Sequence, residues 1–156
     1  MNKGAIISTD KIFRYSLWRI WDDTKSKIAF VGLNPSTADD KIDDRTITKC
    51  INFTSGWGYG GFYMVNLFAL RATDPNELYK AVEIVGIEND KHLLNTFKKV
   101  DKVICAWGNH GSFNSRSNNV LKFIDKPFCL KKNISGEPAH PLYLSKQLKP
   151  IPFSKD

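Results

Sequence analysis

Four short segments carry side chains whose chemistry exceeds what a core requires: GLNPS at residues 32–36, NLFALRATDP at 66–75, WGNHGSFNSR at 107–116 and AHPLYLS at 139–145. They offer Asn34, Asn66, Asn109 or His110, and His140, all of which donate and accept hydrogen bonds without a fixed charge. An amide can orient a water molecule but cannot take its proton strongly, whereas an imidazole can stabilise a departing anion. Gly32 permits close backbone approach and Pro35 stiffens the turn that presents Asn34, although Asn-Pro is also ordinary turn chemistry. Pro141 fixes the backbone beside His140 in the same way.

Competing motifs fail on context. Gly56, Gly58 and Gly61 in GWGYGG match G-x-G-x-x-G, but the dinucleotide fingerprint needs a strand before it and a helix after it. Here the order is reversed, so a helix stop and a tight turn explain the glycines. There is no G-x-x-x-x-G-K-[ST], H-E-x-x-H or G-x-S-x-G, and Cys50, Cys105 and Cys129 form no C-x-x-C pair. The odd cysteine count points to reduced thiols. His92, His110 and His140 are too scattered to predict a zinc site. Asp39, Asp40, Asp43 and Asp44 could hold a hard cation, but a solvated loop capping the next helix is the simpler reading. No metal and no cofactor is expected.

The elements that must position these residues alternate. FRYSLWRIW alternates as a half-exposed strand, read as a sheet edge over Phe13–Trp21. KIAFVG, GFYMVN, DKVICAWG and PFCL are short apolar runs of buried strands. Helices are expected from Arg45 to about Ser55 behind the cap Asp44, briefly after Asp74-Pro75, over roughly residues 88–99, and around Val120, Leu121 and Ile124. The pattern predicts an α/β fold of three layers, α/β/α, around a central, mostly parallel sheet. Such sheets bind ligands beyond the carboxyl ends of their strands, where the loops carrying Asn34, Asn66 and Asn109 or His110 would converge.

The chain has 156 residues, enough for one domain over 1–156 with its own core. Apolar residues make up 42% and charged residues 25%, which excludes a disordered or fibrous chain. No apolar run approaches the roughly 18 residues of a membrane span and no signal peptide is recognisable, so a cytoplasmic protein without a membrane partner is expected. The net charge of +7 is uneven: residues 1–90 hold 11 basic and 12 acidic side chains, residues 91–156 hold 12 and 4. A polyanion is therefore expected to meet the C-terminal part.

In order, GLNPS, MVNLFALRA, VICAWGNHG and AHPLYLS resemble the motifs of the uracil-DNA glycosylase-like superfamily over roughly residues 27–145. The first motif is closest to the mismatch-specific uracil/thymine branch. GLNPSTAD and NLFALRATDP also resemble a bacterial and phage family within the superfamily. The resemblance implies a protein that recognises a flipped or free nucleobase in DNA or a nucleotide and hydrolyses its N-glycosidic bond. Two alternatives accompany it: a non-catalytic nucleic-acid or nucleotide-binding module of the same fold, and an N-glycosidase on small nucleosides or nucleotides. No oligomeric state follows.

The resemblance assigns roles position by position. Asn34 matches the residue that positions the attacking water, with the Pro35 carbonyl beside it. His140 matches the histidine that stabilises the departing base. Gly32, Leu33, Pro35, Ser36, Asn66 and Pro141 would shape the base pocket. Asn66 would bond the polar edge of the base, and the small Ser36 stands where uracil-specific members place a tyrosine. Trp107 and Gly108 close the third strand. Leu144 matches a wedge leucine and Ser145 a phosphate contact, with Lys131, Lys132, Lys146 and Lys149 nearby to neutralise phosphate. This chain departs from the motif with Leu142 and Tyr143 after His-Pro, where a phosphate-binding serine is usual.

Overall fold

The computed structural model describes residues 1–155. Seven strands, β1 Asn2–Ile7, β2 Arg14–Ile20, β3 Lys27–Gly32, β4 Gly61–Asn66, β5 Lys102–Cys105, β6 Pro127–Cys129 and β7 Ile151–Pro152, form one sheet in the order β1-β2-β4-β3-β5-β6-β7. Helix α1, Arg45–Gly56, lies between β3 and β4 in the chain; α2, Asn89–Phe97, and α3, Arg116–Leu121, flank β5. No helix among the described residues is long and apolar enough to cross a membrane.

The four inner strands are parallel and pair in register, Val31 with Val65 and Gly32 with Asn66 across β3 and β4, Ala29 with Val103 across β3 and β5. The sheet as a whole is mixed rather than mostly parallel, because β2 joins β4, β1 joins β2 and β7 joins β6 antiparallel. On the N-terminal side short connections impose this: six residues between β1 and β2, and six between β2 and β3, cannot make the crossover a parallel pair needs. Strand–helix alternation therefore begins only at β3.

Alternate residues of the inner strands feed two cores. Ile28, Phe30, Met64 and Ile104 meet Ile47, Cys50 and Phe53 of α1. Val31, Val65, Val103 and Cys105 meet Leu93 of α2 and Val120 of α3. Helices thus cover both faces, as the apolar runs imply. The N-terminal strand is not the expected half-exposed edge. All of β2 except Trp18 is buried, because β1 folds back over its outer side and takes the edge, Gly4 leaving space for the Trp18 ring. In GWGYGG, Gly58 turns the chain at φ +86 between α1 and β4, so the glycines serve the turn.

Strand β3 lies between β4 and β5, so the chain runs to one side of it and later to the other. This switch point opens a crevice at the carboxyl ends of β3, β4 and β5.

Candidate functional site

A cleft of about 940 Å³ occupies the switch point, and Asn34, Asn66 and His140 all line it. Gly32, Leu33, Pro35, Ser36 and Pro141 line it as well.

The loop after β3 holds Asn34 by a clamp between two strand ends. Leu67 N–H donates to the Gly32 carbonyl at 2.9 Å and Phe68 N–H to that of Leu33 at 3.0 Å. Arg71 Nε donates to the Ser36 carbonyl at 3.3 Å. Asn34 Nδ2 donates to the carbonyls of Pro35 at 3.1 Å and Ala72 at 2.9 Å. Both partners are obligate acceptors, so the amide has one orientation: its two hydrogens are consumed and Oδ1 remains as an acceptor. The Pro35 carbonyl also accepts from Ala72 N–H at 2.9 Å. Its two lone pairs are then occupied, and it cannot hold a water beside Asn34 as the resemblance implies.

Asn66 ends β4 and is 3% exposed. Its Oδ1 accepts from Arg14 Nη2 at 3.4 Å, a long bond to an obligate donor, which leaves Nδ2 as the available donor. Gly32 makes this possible: a Cβ there would lie 2.8 Å from Asn66 Nδ2. Arg14, at 2% exposure, also lines the cleft and donates to the Ala38 carbonyl at 3.1 Å. Sequence reading missed it, since an arginine in an alternating strand reads as a solvent-facing side chain.

His140 stands exposed at the rim on a loop docked against the end of β5, where Gly108 N–H donates to the Pro138 carbonyl at 2.9 Å. Its Nδ1 accepts from Leu142 N–H at 3.2 Å, which places the proton of the neutral ring on Nε2. Although the residue is exposed, surrounding protein atoms hold its pKa below the ordinary 6.5, against the opposing pull of the Asp44 carboxylate. It is a neutral donor at pH 7.

The acidic run is largely spent on the fold. Asp39 accepts from the N–H groups of Lys41 and Ile42, Asp43 pairs with the buried Arg19 at 2.7 Å, and Asp44 caps α1 through Ile47 N–H at 2.9 Å. Asp43 and Asp44 line the cleft together with Arg14, Arg45 and Lys49. No group of three metal-ligating side chains occurs among the described residues.

Several expected residues lie elsewhere. Lys131, Lys132, Leu144, Ser145 and Lys146 do not line the cleft, and its fixed cations come from the N-terminal half instead. The expected entry of an anion through the basic C-terminal half is therefore not matched by the lining. Leu144 is partly buried against the α1-side core with Leu148, so it does not project as a wedge. Tyr143 projects in its place, 80% exposed, with the Arg45 guanidinium 5.3 Å from its ring centre. Ser145 Oγ accepts from Gln147 N–H within a local turn. Asn109 and His110 also miss the cleft: Asn109 Oδ1 accepts from Asn133 and Ser135, and His110 Nδ1 bonds Tyr79 at 2.7 Å. Gly108, at φ +75, turns the chain away after β5, and the His140 loop takes the vacated position.

Residues 14–142 match the model of a family described as a protein of unknown function (DUF1643), a span that contains every residue lining the cleft. No curated protein and no solved structure matches the chain.

Proposed function

The chain belongs to the DUF1643 family, and we propose, from the cleft that the family span contains, that it recognises a flipped or free nucleobase and hydrolyses its N-glycosidic bond, as a uracil-DNA glycosylase-like protein. The observation that carries this reading is the opposite commitment of the two asparagines. Asn34 has spent its donors and presents an acceptor, while Asn66 turns its Oδ1 to Arg14 and presents a donor.

Glycosidic cleavage needs this division. As the C–N bond breaks, its electron pair leaves with the base, positive charge builds on the sugar and water adds to the sugar carbon. Asn34 Oδ1 accepts a hydrogen bond from that water and orients it; the water's proton passes to solvent or to the departing base. Asn66 Nδ2 and His140 Nε2–H meet the acceptor atoms of the base as they become anionic. One such preorganised donor lowers the barrier by on the order of 3 kcal/mol. Because Asn34 is no true base, turnover is slow.

A second reading, hydrolysis of small nucleosides or nucleotides, draws on the packed Leu144 and on the absence of Lys131, Lys132 and Lys146 from the lining. A third, a binding module without catalysis, draws on the doubly occupied Pro35 carbonyl. Oligonucleotides carrying uracil, mismatched thymine or modified pyrimidines, assayed for abasic sites beside free nucleosides, separate the three. Base release lost in Asn34→Ala and His140→Ala supports hydrolysis. Release confined to nucleosides selects the second reading. Salt-sensitive DNA binding without any release selects the third.

A further inference from the structure

Three arginines are buried: Arg14 at 2% exposure, Arg19 at 0% and Arg116 at 6%. Arg19 has the Asp43 carboxylate at 2.7 Å, and Arg116 has that of Asp90 at 2.6 Å. Arg14 forms no ion pair among the described residues, and it is the one of the three that lines the cleft. Its two hydrogen bonds go to uncharged oxygens, Ala38 O at 3.1 Å and Asn66 Oδ1 at 3.4 Å, while its Nε is buried without a partner. Burial lowers its pKa to about 10, which still leaves it a cation at neutral pH. A buried cation held against neutral oxygens is an incomplete arrangement, since buried charges are ordinarily paired.

The groups around Arg14 define what completes it. Asn66, bonded to Arg14, presents Nδ2, and His140 presents Nε2–H from the rim of the same cleft, so the neutral groups that face a ligand held at Arg14 are donors. Met64, Ala106 and Pro141 supply apolar walls that suit a flat ring. The cleft lining carries three cations, Arg14, Arg45 and Lys49, against the two carboxylates Asp43 and Asp44, and Asp44 acts electrostatically on Arg14; the single positive charge left over suits a singly charged ring better than a doubly charged phosphate.

We propose that the cleft floor is a subsite for an ionised heterocycle with a carbonyl edge, whose negative charge Arg14 holds. The nature of the ring rests on the nucleobase reading above. The preference for the anion does not require bond cleavage.

Calorimetric titration at one pH, 8, tests this with thymine, which is neutral, and 5-nitrouracil, which is similar in size and ionised, on the intact protein and on Arg14→Gln and Arg14→Lys. The intact protein is expected to bind 5-nitrouracil at least about tenfold more tightly than thymine. Arg14→Gln is expected to bring the two within about threefold of each other, and Arg14→Lys to keep part of the preference. If Arg14→Gln does not fold, the Arg14 Nε–H resonance in the intact protein supplies the readout, and it must shift with 5-nitrouracil and not with thymine. Equal affinities, no binding of either compound, a preference that survives Arg14→Gln, or displacement of 5-nitrouracil by inorganic phosphate overturns the proposal. A protein that prefers the anion yet releases no base from any substrate removes the hydrolysis reading alone. One that releases base without the preference removes only this inference.

Discussion

Asn66→Asp sets the stability of the cleft against its use. The new carboxylate stands where Asn66 Oδ1 now accepts from Arg14 at 3.4 Å, and it gives that buried cation the partner it lacks. A hydrogen bond involving a charged group contributes about 1.5–3 kcal/mol, against about 0.5–1.5 for a neutral one. The difference of roughly 1 kcal/mol is opposed by desolvation of the carboxylate, which the unpaired guanidinium beside it offsets. The expected net is a gain of about 1 kcal/mol at pH 7, or about 2–4 °C in Tm for a chain of this size. Arg14 holds the folded-state pKa of this carboxylate below its unfolded value of about 3.9, so the gain is complete above that value. It disappears as pH falls through the folded pKa. Thermal unfolding at pH 7 and at about pH 2, below both pKa values, measures both limits. The same substitution removes the Nδ2 donor and fills Arg14, so base recognition should fall while stability rises. A variant that melts below the wild type at pH 7, or one whose gain is unchanged at the acid limit, refutes the view of Arg14 as an unpaired cation.

Other substitutions test the supports. Asp44→Ala should cost about 1 kcal/mol through loss of the α1 cap, whereas Asp44→Asn, itself a good cap, should cost much less in the same denaturant titration. Gly32→Ala places a methyl group 2.8 Å from Asn66 Nδ2, and should lower base binding more than its stability cost of about 1–3 kcal/mol accounts for. An NMR titration of the His140 ring should find it neutral at pH 7, with a folded pKa below 6.5. Its contribution to stability is then complete above the unfolded pKa and is lost as pH falls below it, because the unfolded chain binds the proton more readily.

Much of the scaffold was legible because it obeys local rules. The apolar runs of β3 and β4 end at Gly32 and Asn66, and Asp44 caps α1. Strand β1 escaped notice because Gly4 interrupts a short apolar stretch at the very start of the chain, and β7 because two residues carry no period. The interior position of β2 depends on β1 covering it, a long-range fact absent from its own alternation. The same limit applied to the site. Asn34, Asn66 and His140 follow from strand ends and motifs, and they do share one cleft. Arg14 could not be found this way, because its burial results from tertiary packing. The basic C-terminal half supplies none of the cleft's fixed cations, since net charge by segment does not say which cations reach a cleft.

Single-turnover base release, with protein in excess over a uracil-containing oligonucleotide or nucleoside, tests hydrolysis most directly. Slow formation of free base is expected, with a matching amount of abasic or free-sugar product, reduced on the order of 10²-fold by Asn34→Ala and by His140→Ala. Release of no base from any of these substrates, or release at an unchanged rate in both variants, contradicts it.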